Sequence, residues 1–527
     1  MVLKFSIKNI YLFASVLLIF GFAVLLRIPY LRVPVLVVDE SLYAEVANTI
    51  LEGRLPYKDA WDQKPPGIYY LYALIFALFG KNNLYAVHIA CAIFVALSAI
   101  LIFFILRLLK NNVAGLIGAL SYSVLASAGQ ASQFQAANTE IFSMLFVLIS
   151  LFLFLKSDNK SVYLFFSGFS LATGMAFKQP AILAIFPMFL LLFLQNGKKK
   201  QAFLSSIYLI SGLIPVTGFV FLYFFFNDAL YDFYIICIIQ NFVYMDANNL
   251  AHGFNAALRN IPFFIGSNYL FYITSAIAFF CFSYKLIADI INKTTLNYIS
   301  FFLCAWYAIS WISVSLGGRF EGHYFFFVFP AIAVFSSFFW IEICKYLRRK
   351  CKFAVIVPAL IFVIATGYSV YIHCGFPPGT KKIYFTVIDP ENPKGEPIRR
   401  TAQYIAQNTA KTGRIFVWGL CPEIYTLSNR RCAGRFIYAN YLIGMMTGDR
   451  YFYSNTERLD RTVSGSWDKL IDDLTKYKPV FIIDTSPSNY FQYAKYPISR
   501  FVLLDSFIKR YYLFDRRIGN IDIYRRR

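Results

Sequence analysis

Residues 9–26 read NIYLFASVLLIFGFAVLL, and residues 37–67 read VVDESLYAEVANTILEGRLPYKDAWDQKPPG. The first run carries no charge and, as a helix of about 18 residues, is long enough to cross a hydrocarbon layer of roughly 30 Å. The second opens on paired acids, Asp39 and Glu40, and closes on a Lys64-Pro65-Pro66 corner. A chain that leaves an apolar span directly into such a loop is a membrane protein with polar chemistry at one face.

Working outward, the same apolar pattern recurs. Only 15% of the 527 residues are charged and 58% are hydrophobic, against roughly 25% charged in soluble domains. The expected fold is an α-helical polytopic membrane protein with spans near 10–30, 84–107, 112–128, 139–156, 161–177, 180–195, 203–226, 263–290, 298–316, 323–344 and 353–373. The start, MVLKFSIK, has the polarity of a signal sequence but no small-residue cleavage site follows, so it reads as a retained first span.

The net charge of +22 is distributed unevenly. RLLKNN, KSDNK, NGKKKQ, KLIADIINKT and KYLRRKCK fall in alternate loops, while GQASQFQAAN, FKQP and GGRFEGH carry at most one positive charge each. That is the positive-inside bias, and it accounts for the basic balance without a nucleic-acid partner. It predicts a multi-pass protein of the cell (inner or plasma) membrane, with the N-terminus cytoplasmic and the C-terminus extracytoplasmic. Spans cease before residue 381, which gives a membrane core over 1–380 with an external first loop at 31–83, and a soluble α/β domain over 381–527. In that domain RIFVWGL, PVFIIDT and NIDIYRR read as strands, and EPIRRTAQYIAQNTA and SWDKLIDDLTKY as amphipathic helices. Most of the nine cysteines lie in apolar runs, whereas Cys421 and Cys432 are a candidate disulfide in an external domain.

In the first loop Asp39 is expected to cap a helix whose apolar stripe is Leu42, Tyr43, Val46, Ala47, Ile50 and Leu51, with Gly53 ending it. The other external loops contribute Gln135, Asn138 and Glu140, then Lys178, then Tyr244, Asp246, His252 and Arg259, then Arg319, Glu321 and His323. Taken singly, Asp39 as a cap, Lys178 and Arg319 as snorkelling side chains and His323 as an interfacial histidine are ordinary. Together they describe a cavity with few carboxylates and several cations. Outside the cytoplasm nucleotide-activated sugars are absent, and the chain has neither a phosphate-cradling glycine loop nor an Asp-x-Asp signature. A lipid-linked sugar phosphate suits the cavity better. Its leaving group departs as an anion, which needs cations (Lys64, Lys178, Arg259, Arg319) and one carboxylate, Asp39, to take the proton of the incoming hydroxyl.

The segment VVDESLYAEVANTILEG with KPPGIYYL resembles the first external loop of the polyprenyl-phosphate-dependent glycosyltransferases of the GT-C superfamily, in the group of the protein O-mannosyltransferases and the aminoarabinose transferases of lipid A. The likeness extends to QAANTEIF, FKQPAIL, GGRFEGHYFFFVFPA and RIFVWGLCPEIYTLSNRRCAGRFIY. It implies Asp39 as the catalytic acid with Glu40 beside it, Glu140 as a second acid, and Lys64 on the donor phosphate. Tyr43, Asn138, Lys178, Arg259, Arg319 and His323 complete the expected substrate contacts, the two arginines placed by loop position. The aminoarabinose branch has an arginine three residues after the first acid; here that residue is Leu42, which speaks against lipid A as acceptor. The expected activity is inverting transfer from a polyprenyl-phosphate sugar to a hydroxyl of a glycan, lipid or protein at the outer membrane face. No cofactor is called for, and a divalent metal beside Asp39 is left open. The rival readings are a polyprenyl-linked glycan polymerase or ligase, which would place its large loop between late spans, and a lipid-linked substrate transporter or flippase, which gives an external domain no role.

Overall fold

The computed structural model describes residues 7–195, 199–246, 250–373, 395–445 and 461–527. Among them eight helices are long and apolar enough to cross a membrane: Asn9–Tyr30, Leu84–Leu109, Thr139–Lys156, Lys199–Phe226, Tyr269–Ile291, Tyr298–Ser315, Phe329–Lys350 and Lys352–Ile372. The spans expected at 112–128, 161–177 and 180–195 are apolar helices of shorter length, Asn112–Leu125, Ser161–Met175 and Gln179–Gln195. Two more short apolar helices, Gly67–Phe79 and Leu230–Met245, occupy stretches read as external loop. At 1.5 Å per residue the first of these is only about 20 Å long, which is why its hydrophobicity gave no span.

The chain forms two compact units. The first comprises Met1–Arg32, His88–Val220 and Gly253–Ile383. Its helices come close where side chains are absent: a Cβ on Gly168 would strike the Leu209 carbonyl, and one on Gly212 the Phe165 carbonyl. Such small-residue contacts substitute for the hydrophobic drive that lipid does not supply. Arg27, 2% exposed, donates to the carbonyls of Ala126 (3.1 Å), Phe134 (3.0 Å) and Gln135 (2.6 Å). Its charge therefore fastens the loop that leads to Asn138 and Glu140, satisfying carbonyls that have no helical partner.

The second unit comprises Val33–Val87, Phe221–His252 and Tyr384–Arg527, so the first-loop segment and the C-terminal segment fold together. Its sheet has the order β2-β1-β3-β5-β4, where β1 is Arg414–Trp418, β2 Arg431–Cys432, β3 Phe481–Asp484, β4 Tyr512–Ile518 and β5 Ile521–Arg526. β1 pairs in parallel with β2 and β3, and β5 is antiparallel to both β3 and β4. β1, buried from Ile415 on, and the fully buried β3 are the apolar runs expected as strands, and Glu396–Gln407 and Ser466–Tyr477 are the expected helices. β4, largely exposed at the sheet edge, was not legible as a strand.

The Val38–Leu51 helix is tied to this sheet by charge. Arg431 Nε meets Glu45 Oε1 at 3.0 Å, and the Cys432 amide donates to the same oxygen at 2.8 Å. Glu52 receives Arg431 (3.1 Å), Arg414 (2.7 Å) and Arg54 (2.8 Å). Burial alone would raise the Glu52 carboxyl, but these guanidinium groups override it and hold it at about 2. Cys421 and Cys432 are separate buried thiols, so the candidate disulfide is not formed. The Cys432 thiol instead points at the Phe436 carbonyl, 3.4 Å away.

Candidate active site

In the second unit the helix that bears the paired acids starts two residues earlier than expected. Val37 is its N-cap, and Asp39 lies inside the first turn. The capping work falls to Glu40, whose buried carboxylate accepts the Leu36 amide at 2.7 Å. A glutamate at the third helical position here reaches back past the N-cap, one residue beyond the amide that a capping box would use. Glu40 is thereby committed to the main chain, and Asp39 is released from the role of cap. At the other end Gly53 takes φ +74°, with its amide on the Ile50 carbonyl (2.9 Å) and the Arg54 amide on that of Thr49 (3.1 Å). This is a Schellman closure that needs a residue tolerant of the left-handed region.

Asp39, Tyr43 and Lys64 come together as expected. Lys64 Nζ lies 3.7 Å from Asp39 Oδ2, with side-chain exposures of 15% and 14%. The Tyr43 hydroxyl, one helical turn on, donates to Asp39 Oδ2 at 3.4 Å. Pro66 caps the Gly67–Phe79 helix, so the Lys-Pro-Pro corner is where the extended chain is forced into a helix.

Two further acids of this unit escaped the sequence reading. Asp62 is 2% exposed and accepts from Tyr69 (2.8 Å), the Gln63 amide (2.9 Å) and Tyr438 (3.3 Å). Burial raises its proton affinity, Lys64 opposes that rise, and the Asp39 charge adds to it. Glu423, also 2% exposed, is pushed up to about 7, first by burial and in lesser part by repulsion from Asp39. Its Oε1 is reached by Tyr490 at 3.4 Å, and Oε2 has no partner. The only hint of either was position: Asp62 stands two residues before Lys64, and Glu423 directly follows Cys421-Pro422.

In the first unit the loop residues gather around Glu140 and His323. Asn138 is the N-cap of Thr139–Lys156, yet its side chain makes no cap bond, and both amide atoms are buried without a partner. Glu140, 1% exposed, meets Lys178 Nζ at 2.8 Å and accepts Thr139 Oγ1 at 3.0 Å. The Lys178 ammonium also lies 5.1 Å from the centre of the Tyr324 ring, a cation–π distance. His323 Nδ1 is 2.7 Å from Gln133 Oε1, which also accepts the His323 amide at 3.2 Å. Arg319 is buried, and its carbonyl accepts Asn260 Nδ2 at 2.8 Å. The next residue, Phe320, holds φ +50°, a strained value for a bulky side chain. Arg259 is exposed and bonds its neighbour Asn260. The side chains of Asp246 and His252 lie outside the described residues. Among the described residues no group of three or more His, Cys, Asp or Glu side chains is placed to hold a metal ion.

Residues 63–224 match the family model for dolichyl-phosphate-mannose-protein mannosyltransferase. Solved structures match over nearly the whole chain. ArnT from Cupriavidus metallidurans bound to undecaprenyl phosphate is 13% identical with a TM-score of 0.56, over 98% of this chain and 97% of that one. The fold is that of this ArnT structure. The Archaeoglobus fulgidus oligosaccharyltransferase matches at 14% identity and a TM-score of 0.57 over 97% of this chain and 73% of that one. The same archaeal enzyme in complex with an inhibitory peptide and a dolichol-phosphate matches at 14% identity and a TM-score of 0.54, over 99% and 74%. No curated protein matches the sequence.

Proposed function

We propose that this GT-C-like protein transfers a sugar from a polyprenyl-phosphate donor to a hydroxyl acceptor (glycan, lipid or protein) on the extracytoplasmic side, with inversion at the anomeric carbon. The observation that carries the reading is the Asp39–Lys64 pair: an acid freed from capping and a lysine at a rigid corner, close but not locked together. The Asp39 carboxylate removes the proton of the acceptor hydroxyl as its oxygen bonds to the anomeric carbon. The bond from that carbon to the phosphate oxygen breaks, and its electron pair leaves with the phosphate. Lys64 neutralises the departing charge, so no proton donor is required for the leaving group. Tyr43 orients Asp39, and Glu40 fixes the helix start beneath it. In the first unit Asn138 is assigned to substrate because its amide is unpartnered; Glu140 and Lys178 stand as a second acid–lysine pair, and Arg319 and His323 shape the adjacent loop. Support comes from the undecaprenyl phosphate in the ArnT structure and from the family model, which begins just ahead of Lys64.

The test uses purified protein in detergent with a prenyl-phosphate sugar. Asp39→Asn keeps the shape of the side chain, and turnover should fall by about 100-fold or more, with an unchanged melting midpoint. The wild-type product should have the opposite anomeric configuration to the donor. Near-normal turnover in the variant, or a retained anomer, would rule the mechanism out. For sidedness, a reporter active only outside the cytoplasm should work when fused after residue 380 and be silent when fused after Lys200.

A further inference from the structure

The geometry points to Asp62 as a positioning residue that acts through Lys64: with the Tyr69 hydroxyl it fixes the main chain from which the lysine ammonium projects, and so sets affinity for a prenyl phosphate headgroup. The inference rests on the reading of Lys64 given above.

Pro65 and Pro66 have no N–H, so the corner cannot be fastened by donors of its own. The last two main-chain donors ahead of it are the amides of Gln63 and Lys64, and both end on the same buried pair. Gln63 N donates to Asp62 Oδ1 at 2.9 Å, and Lys64 N donates to the Tyr69 hydroxyl at 3.1 Å, which in turn donates to Asp62 Oδ2 at 2.8 Å. The carbonyls are held as well: Tyr57 donates to Lys64 O at 2.7 Å, and Asn241 Nδ2 donates to Gln63 O at 2.6 Å. Tyr57 and Tyr69 are fully buried and Asp62 nearly so, while the Lys64 side chain keeps 15% exposure and stands 3.7 Å from Asp39. A turn made only to reverse the chain needs none of this, since two consecutive prolines already stiffen it. Buried polar groups that converge on one peptide unit hold it to one position, and a fixed root is what gives a long, flexible lysine a defined reach.

The experiment measures binding of farnesyl phosphate to the detergent-solubilised full-length protein. Tyr69→Phe leaves the Lys64 amide without an acceptor, and Asp62→Asn turns an amide donor towards the Tyr69 hydroxyl. Each should weaken Kd by about ten-fold while the melting midpoint moves little. The decisive measurement repeats both changes in a Lys64→Ala background, where each should alter Kd by less than about two-fold, because a residue that acts through Lys64 has nothing left to act on. Wild-type Kd in the single variants, or the same loss with and without Lys64, would overturn the proposal. If Lys64→Ala itself binds farnesyl phosphate as wild type does, the reading of Lys64 fails first and this inference with it. Should either variant not fold, Tyr57→Phe, which takes the Tyr57 hydroxyl away from the Lys64 carbonyl, carries the same pair of measurements.

Discussion

Among the described residues each unit holds one acid–lysine pair with both side chains largely buried, and the two are built differently. Glu140 and Lys178 meet at 2.8 Å with the acid 1% exposed, whereas Asp39 and Lys64 stand 3.7 Å apart with both side chains near 15%. The first distance is a charge-assisted hydrogen bond and the second is only an ion pair. A pair of the first kind neutralises itself and resists separation, since each partner would leave an uncompensated buried charge. The second can part at small cost: Lys64 can turn to a phosphate and Asp39 to a proton. On the reading proposed above, looseness marks the pair that does chemistry and tightness the pair that holds a loop.

Mutation can break that contrast. The largest expected effect is on turnover: Asp39→Asn should lose about 100-fold or more, while Glu140→Gln should lose less activity but more stability. Glu140→Gln or Lys178→Met should each destabilise by about 3–5 kcal/mol, seen as a fall in melting midpoint, with the double variant recovering part of the loss. Removing Lys64 should cost no more than about 1 kcal/mol. If thermal melts ranked the two pairs the other way, the contrast would be wrong.

A third prediction concerns Glu423, which titrates at about 7 against an ordinary 4.5. The folded state thus holds its proton more tightly than the unfolded chain does. That contribution is complete below about pH 4.5 and is lost as pH rises through 7, a difference of about 3 kcal/mol. Glu423→Gln removes the titration, so its melting midpoint should gain on wild type as pH goes from 5 to 8. A gap independent of pH would show that Glu423 is ionised in the fold. The smallest effect belongs to Gly53→Ala: the site is open, so only the left-handed backbone resists, at about 1 kcal/mol.

Apolar runs made the spans and the C-terminal strands legible, because burial in lipid or in a sheet core leaves a direct mark on composition. The paired acids and the proline-stiffened corner singled out Asp39 and Lys64 separately, and their 3.7 Å approach came only with the fold. What stayed hidden depends on through-space partners. Glu40 displaced Asp39 as the capping residue because it could reach the Leu36 amide. Asp62 and Glu423 look like surface acids in the sequence, and only the fold buries them. Arg259, by contrast, was placed by its loop alone and proved exposed.

The tie between Glu45 and Arg431 joins residues 386 positions apart. At a synthesis rate of about 5–20 residues per second, the helix carrying Asp39 must wait roughly 20–80 s after it is made before its partners exist. During that interval the later spans are made, while Glu45 still lacks Arg431 and Glu52 has only Arg54. Docking of this helix therefore waits for the segment that carries Arg414 and Arg431.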